Sequence, residues 1–499
     1  MTASATSQTA AGPLTVSTTN PRYFAVRRDD GTERAIYLTG AHVNNNFHDG
    51  MGPGAECPDE PDRFDFDAYL GWLTDHGHNF IRLWRWEQFK SQVGGGAIHA
   101  CMSPQPWART GPGEATDGKP KFDLTAFDDE HFDRLRKRVE AAAGAGIYVD
   151  VMLFEGFGLH LTPPPDNVEG HPFHAKNNVN GIGISSIRDY MVLPLPAGVQ
   201  ALQETYIRKV IDIVHDLPNV LYEVANEASG EDADEIRMPD GSSFPAVSGD
   251  TTAWQYWVIN AVKRYEDERG YDRHPVGMTM QFPVPDQTKV NEPLFASPAD
   301  WISPGFDDAP DPNADFSAGP PPGQWLLDPP PADGRKVVIS DTDHYSPMKA
   351  DPLWAWKSFM RGHNPILYDL GIIFGVNPPD PSAGFPSYES LEPARLALGD
   401  TCRLADRIGL IDMKPAGELS STGYALANPG VEYVVLQPSA GEAVTIRLQA
   451  GTYAMAWFSL DTRAWTDGEP LTVERDGDTA IEPRSESGAS VLLLRRSGG

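Results

Sequence analysis

Cysteine is nearly absent: Cys57, Cys101 and Cys402 are the only three in 499 residues. So sparse and odd a set argues against a disulfide framework and supplies no CxxC metal pair. Positive charge is scarce as well, with 40 Lys and Arg against 70 Asp and Glu, a formal net charge of −30. A surface of that sign repels phosphate backbones and anionic lipid, which argues against nucleic acid and membrane as partners. No stretch reaches the roughly 18 apolar residues that a membrane span needs. The start, MTASATSQTAAGPLTVSTTN, has neither a basic n-region nor an apolar h-region, so a cytoplasmic location is expected. No GxGxxG follows the first strand-like run and no HExxH occurs, which weakens dinucleotide binding and zincin chemistry. No cofactor is implied.

The pattern that is present is alternation of short apolar runs with amphipathic segments. Residues 1–20 are rich in Ser, Thr and Ala and predict a flexible N-terminus. RYFAVRRDDGTERAIYLTG then reads as a hairpin around Asp-Asp-Gly. Strand-like runs at 36–41, 79–86, 147–156, 219–227, 274–282, 299–305, 336–344 and 364–370 are mostly separated by helical patterns at 66–77, 128–146, 199–217, 251–270, 351–362 and 391–409. Eight such units within 21–414 predict an α/β fold, a (β/α)8 TIM barrel preceded by the hairpin. From 415 to 499 the runs shorten (EYVVLQ, AVTIRL, TYAMAWFSL, SVLLLRR) and predict a small all-β sandwich.

Two of the barrel runs end in acids: NVLYEVANE (219–227) and KVVISDTDH (336–344). Period-two alternation puts Glu223, Ala225 and Glu227 on one side of the fourth strand, and Ile339, Asp341 and Asp343 on one side of the seventh. Carboxyls facing each other across a barrel mouth suit glycosidic cleavage, where one protonates the leaving oxygen and the other attacks carbon or activates water. Asn-Glu at the end of strand four and an acid at the end of strand seven resemble clan A glycoside hydrolases, the group of the family 5 cellulases. The resemblance implies Glu227 as acid/base, Asn226 on the sugar 2-hydroxyl, Asp341 as nucleophile and Arg82, in 80-FIRLW-84, as the cation that keeps it ionised. The clan ends strand seven in Glu, and the shorter Asp here makes Asp343 a rival for the role. Alternation, however, sets Asp343 about 6.6 Å further outward along the strand, which favours Asp341 as nucleophile and Asp343 and His344 as substrate-binding or orienting neighbours. The segments 38-LTGAHVNNNFHDG-50, 341-DTDH-344 and 354-WAWKSFMRGHNPI-366 are similar to cellulase-like barrels that carry a C-terminal domain of the collagen-binding type, which 455-MAWFSLDTRAW-465 resembles.

Further candidates follow from position. His42, Asn45 and Asn46 close the first strand and suit sugar hydroxyls, Glu155 ends the third, and His344 neighbours the acid pair. Trp84, Trp86, Trp107, Trp301 and Trp325 offer stacking faces. Loops of more than 20 residues after strands two, three, four and six predict a walled, exo-acting pocket. The expected partner is a carbohydrate substrate, and a homo-oligomer is left open. Two alternatives stand beside the glycosidase: a metal-dependent barrel hydrolase using Asp341, Asp343 and His344, with His42, His48 and Asp49 as further ligands, or a non-catalytic carbohydrate-binding protein.

Overall fold

The computed structural model describes residues 9–53, 63–93, 98–161, 166–231, 235–237, 243–245, 249–282, 284, 290–305, 324–344, 351–369, 387–482 and 488–497. Eight parallel strands form one sheet: β1 Gly40–His42, β2 Phe80–Leu83, β3 Tyr148–Glu155, β4 Val220–Asn226, β5 Val276–Thr279, β6 Trp301–Ser303, β7 Val337–Asp341 and β8 Asn364–Tyr368. A helix follows each in turn: α1 Phe66–His76, α2 Asp129–Gly144, α3 Val199–Val214, α4 Thr252–Arg269, α5 Glu292–Ala296, α6 Gln324–Leu327, α7 Pro352–Met360 and α8 Tyr388–Ala405. This is the expected (β/α)8 barrel. The ends of the sheet meet through Asn79, whose N–H donates to Thr39 O (2.9 Å), while its amide bonds Thr39 N and Tyr37 O.

The sequence explains why these segments become helices. In α1, Phe66, Tyr69, Leu70 and Leu73 recur at helical spacing and are buried. Asp65 caps its first turn by accepting from Ala68 N, and Gly77 ends it at φ 78°, a conformation that costs glycine least. Asp128 and Asp351 cap α2 and α7 in the same manner.

Inside the barrel, alternate residues of each strand stack in layers. The floor holds Phe80, Tyr148, Leu221, Trp301 and Val337, packed on Phe24, Ile36 and Leu38 from the N-terminal hairpin. Above it the same strand faces turn polar, with Arg82, Asp150 and Glu223 buried there. Buried charge at this depth must be paired, which makes this layer the base of a built site.

The C-terminal strands form two antiparallel sheets, the larger running in the order 414–415, 425–428, 432–437, 490–496, 451–459, 464–467 and the smaller pairing 444–448 with 477–481. Strand 432–437 explains its own composition. Tyr433 and Val435 face the sandwich core with Ile446, Tyr453 and Leu492. Val434 and Leu436 join the barrel's core with Phe458, Val491 and Leu493. Both faces are covered, so the strand reads as a continuous apolar run.

Three expectations need correction. The N-terminus is ordered from residue 9 onward: Leu14 is buried, Thr15–Val16 pairs with Phe24–Ala25, and Asn20 donates to Met413 O (2.7 Å); residues 1–8 lie outside the described set. The segment after β2 that reads as a loop contains a hairpin, Trp107–Glu114 against Pro120–Phe127. Cys101 is disulfide-bonded while Cys402 is a free thiol, so the sparse, odd cysteine set does include a cross-link. No helix among the described residues is long and apolar enough to cross a membrane.

Candidate active site at the carboxyl end of the barrel

Arg82, on β2, organises the mouth. Its Nε and Nη2 donate to the two oxygens of Glu223 (2.9 and 2.7 Å), and Nη2 donates also to Asn226 Oδ1 (2.9 Å). Its Nη1 donates to Asp341 Oδ2 (2.9 Å) and to Asp343 Oδ2 (3.1 Å). One guanidinium therefore ties β2, β4 and β7 together. Strict alternation ends before β4 does, since Asn226 as well as Glu223 reaches Arg82. Beneath them Asp150 faces Glu223. Burial first and the Glu223 charge second push Asp150 well above the carboxylate range, so Asp150 keeps its proton and Glu223 the charge.

Asp341 is fully buried. Its carboxylate accepts from His42 Nε2 (2.9 Å) and from the Asp343 backbone N–H (3.0 Å), besides Arg82. Burial would raise its pKa, but the charges of His42 and then Arg82 outweigh that and hold it well below the usual range. β7 stops at Asp341, and Thr342–His344 form a turn of 3₁₀ helix. Asp343 is thus not a strand position displaced outward, as alternation implied; the turn folds it back beside Asp341, where both carboxylates share Arg82 Nη1. Its side chain keeps 8% exposure against 0% for Asp341. Burial and the Asp341 charge push it up to about 6.

Glu227 follows the last residue of β4 and adopts φ 42°, a conformation that costs a non-glycine residue about 1–3 kcal/mol and marks functional positions. Burial first, then the charges of Asp343 and Glu155, push its carboxyl well above the ordinary range. Glu155, ending β3, accepts from Gly158 N (3.0 Å) and from Asn226 Nδ2 (3.4 Å), and burial pushes it up to about 8. The mouth thus joins a carboxyl that retains its proton to one that sheds it.

The remaining candidates divide. His344 Nδ1 bonds Ser303 Oγ (2.7 Å), and burial then the Arg82 charge lower its pKa to about 4, so it is neutral, with Nε2 3.8 Å from Asp343. Asn45 is buried with Oδ1 lacking a hydrogen-bond partner. Asn46 has a structural task, donating to Arg82 O (2.7 Å) and accepting from Trp84 N (2.8 Å). Trp84 lies 5.0 Å under the Arg82 guanidinium and stacks on Tyr368 (5.7 Å). Trp86 is buried and donates to Asn44 O. Trp107, Trp301 and Trp325 are buried in the core. His48 packs on Phe47 and His131, and Asp49 pairs with Arg134; neither joins the acid cluster. Tyr368, whose ring also stacks on His42 (5.3 Å), was not singled out in the sequence. The available signal was its place at the end of NPILY, in phase with Ile366. Glu87 was likewise missed. It is buried, bonded by His171 (3.1 Å) and Tyr190 (3.0 Å), and accepts from Glu155 N (3.3 Å).

No family model matches the chain, and no curated protein matches it. Among solved structures it is similar to a glycoside hydrolase with a TM-score of 0.58 at 13% identity, covering 98% of this chain and 99% of that one. It is similar also to a glycoside hydrolase family 5 protein from Bacteroides vulgatus, with a TM-score of 0.57 at 12% identity over 98% and 95% of the two chains. At such identities the likeness defines the fold, a (β/α)8 barrel with a terminal β-domain. The chemistry rests on this chain's own residues.

Proposed function

We propose that this protein is a glycoside hydrolase in which Glu227 donates the proton and the acid pair of β7 supplies the negative charge. The observation that carries this reading is the opposite bias of two carboxyls brought to one barrel mouth. Glu227 is held protonated and Asp341 ionised, the division of labour that acid-assisted glycosidic cleavage needs. The fold neighbours, themselves glycoside hydrolases, are in keeping with it.

The outer member of the pair, Asp343, is the better attacking group. Asp341 has no exposed surface and both of its oxygens are bonded, whereas Asp343 retains exposure and exerts the largest charge effect on Glu227. In this reading Asp341 holds the position of the clan's longer Glu but serves as a buried anchor, and Asp343, on the 3₁₀ turn, takes the nucleophile's role. Cleavage then proceeds with retention: an Asp343 oxygen bonds the anomeric carbon as Glu227 passes its proton to the departing oxygen. Water returns through the same Glu227, now acting as base. Asn226, bridged between Arg82 and Glu155, and Asn45, whose Oδ1 is unpartnered, are the residues this reading assigns to substrate hydroxyls. Exo action is proposed on loop length; the loop after β6 lies mostly, and the loop after β4 partly, outside the described residues, and end-group analysis of products decides it.

Azide tests the assignment. Asp343→Gly should regain turnover with azide and yield a glycosyl azide of inverted configuration, while Asp341→Gly should not. Rescue in Asp341→Gly alone would reverse the two roles. A metal-dependent reading has one observation behind it, since Asp341, Asp343 and His344 each bring a ligand atom within 4.8 Å of the others. Against it, a divalent cation there would meet Arg82, which already bonds both carboxylates. Activity unchanged by chelator is the expected result.

A further inference from the structure

A guanidinium has five N–H donors and no more. In Arg82 all five are used: Nε on Glu223, Nη1 on Asp341 and Asp343, and Nη2 on Glu223 and Asn226. Arg85, nearby in sequence, is committed elsewhere, with Nη1 on Leu153 O and on Glu87. His344 is neutral, and His42 spends Nε2 on Asp341, with its buried Nδ1 unpartnered on a ring stacked against Trp84 and Tyr368. Around this saturated guanidinium stand Asp150, Glu155, Glu223, Glu227, Asp341 and Asp343, all buried or nearly so. A further negative charge entering the mouth would lose its hydration and find every donor of the Arg82 guanidinium already spent on carboxylates and Asn226.

We propose that the saturation of Arg82 makes this site selective by charge: it accepts an uncharged glycosyl unit at the cleavage point and refuses one that carries a carboxylate or sulfate. The inference rests on the glycoside hydrolase reading and deepens it by naming the class of sugar. It concerns only the unit whose anomeric bond breaks. A ring bearing a protonated amine meets the opposite field and is favoured.

The experiment compares matched nitrophenyl glycosides, glucoside with glucuronide and galactoside with galacturonide in both anomers, on the full-length protein at pH 7. For whichever neutral sugar is cleaved, kcat/KM for its uronide should be lower by at least about 100-fold, the scale of stranding one buried charge. A uronide cleaved as fast as its neutral counterpart overturns the proposal. Asp343→Asn supplies the second arm, in calorimetric binding rather than turnover. Deoxynojirimycin should bind the unaltered protein at least about 100-fold more tightly than the corresponding ring acid. In Asp343→Asn, where Nη1 no longer faces a second anion, that ratio should fall by about tenfold. An unchanged ratio in a folded variant contradicts the role given to Arg82. If no glycoside is cleaved but the binding ratios hold, the hydrolase reading fails and the charge selectivity stands. If neither ring binds, both fail.

Discussion

Glu155 shows how one buried side chain sets the proton affinity of another. Its carboxyl is held by Gly158 N and the Asn226 amide, and its charge is one of the causes that keep Glu227 protonated. Its pKa rises from an ordinary 4.5 to about 8 on folding. Between those values the native state holds a proton that the unfolded chain has released, so this residue's contribution to stability falls as pH rises through that window. Glu155→Gln keeps an acceptor for Gly158 but cannot ionise. Its melting temperature should therefore vary less than that of the unaltered protein between pH 5 and pH 8. The alkaline limb of its kcat/KM profile should move down by on the order of one pH unit, because Glu227 loses a repelling neighbour. Parallel stability curves and an unmoved alkaline limb in the two proteins would remove Glu155 from this role.

At the scale of the element, the barrel depends on small residues where large ones cross it. Gly277 on β5 faces the Trp301 ring of β6 so closely that a Cβ would lie 1.9 Å from Trp301 Cε2. Gly277→Ala must push a buried indole out of the barrel floor, at a cost of about 1–3 kcal/mol or more. Urea denaturation should read that loss, and an unchanged midpoint would mean that the floor is looser than its geometry implies. The sequence marked the eight strands because their faces are buried on both sides and run apolar until the mouth, where acids replace aliphatics. The hairpin 107–127 was illegible for the opposite reason: WARTGPGE and PKFDLTAF are half-exposed, polar and interrupted by Pro and Gly. Asp343 was misplaced because alternation assumes a strand, and the backbone leaves the strand at Asp341 for a 3₁₀ turn. Glu227 and Arg82 could be read from their strand ends. The five bonds of Arg82 could not, since its partners are scattered over β4, β7 and the turn that follows.

The whole molecule behaves as one packed body in this account. Phe458 lies 5.5 Å from Trp356 of α7, Arg463 pairs with Asp400 of α8 through both of its oxygens, and Glu432 accepts from Gly409 N (2.8 Å). Leu436, Val491 and Leu493 extend the core of the barrel itself. An interface of this kind does not release the β-domain as an independent unit, so the sandwich is read as an accessory wall rather than a tethered binding module. Calorimetry should show a single transition for the full chain, and a chain ending at 414 should aggregate or melt lower because it exposes the face of α7 and α8. Two well-separated transitions would contradict this.

The central claim is that Glu227 gives the proton that frees the leaving group, and a leaving-group series tests it most directly. Wild type and Glu227→Gln are compared on glycosides whose leaving groups range from dinitrophenol to simple alcohols. The account predicts a loss of about 10²- to 10⁴-fold for poor leaving groups and little loss in the cleavage step for dinitrophenyl, which departs without help. Equal rates for wild type and variant on the poorest leaving groups would contradict it.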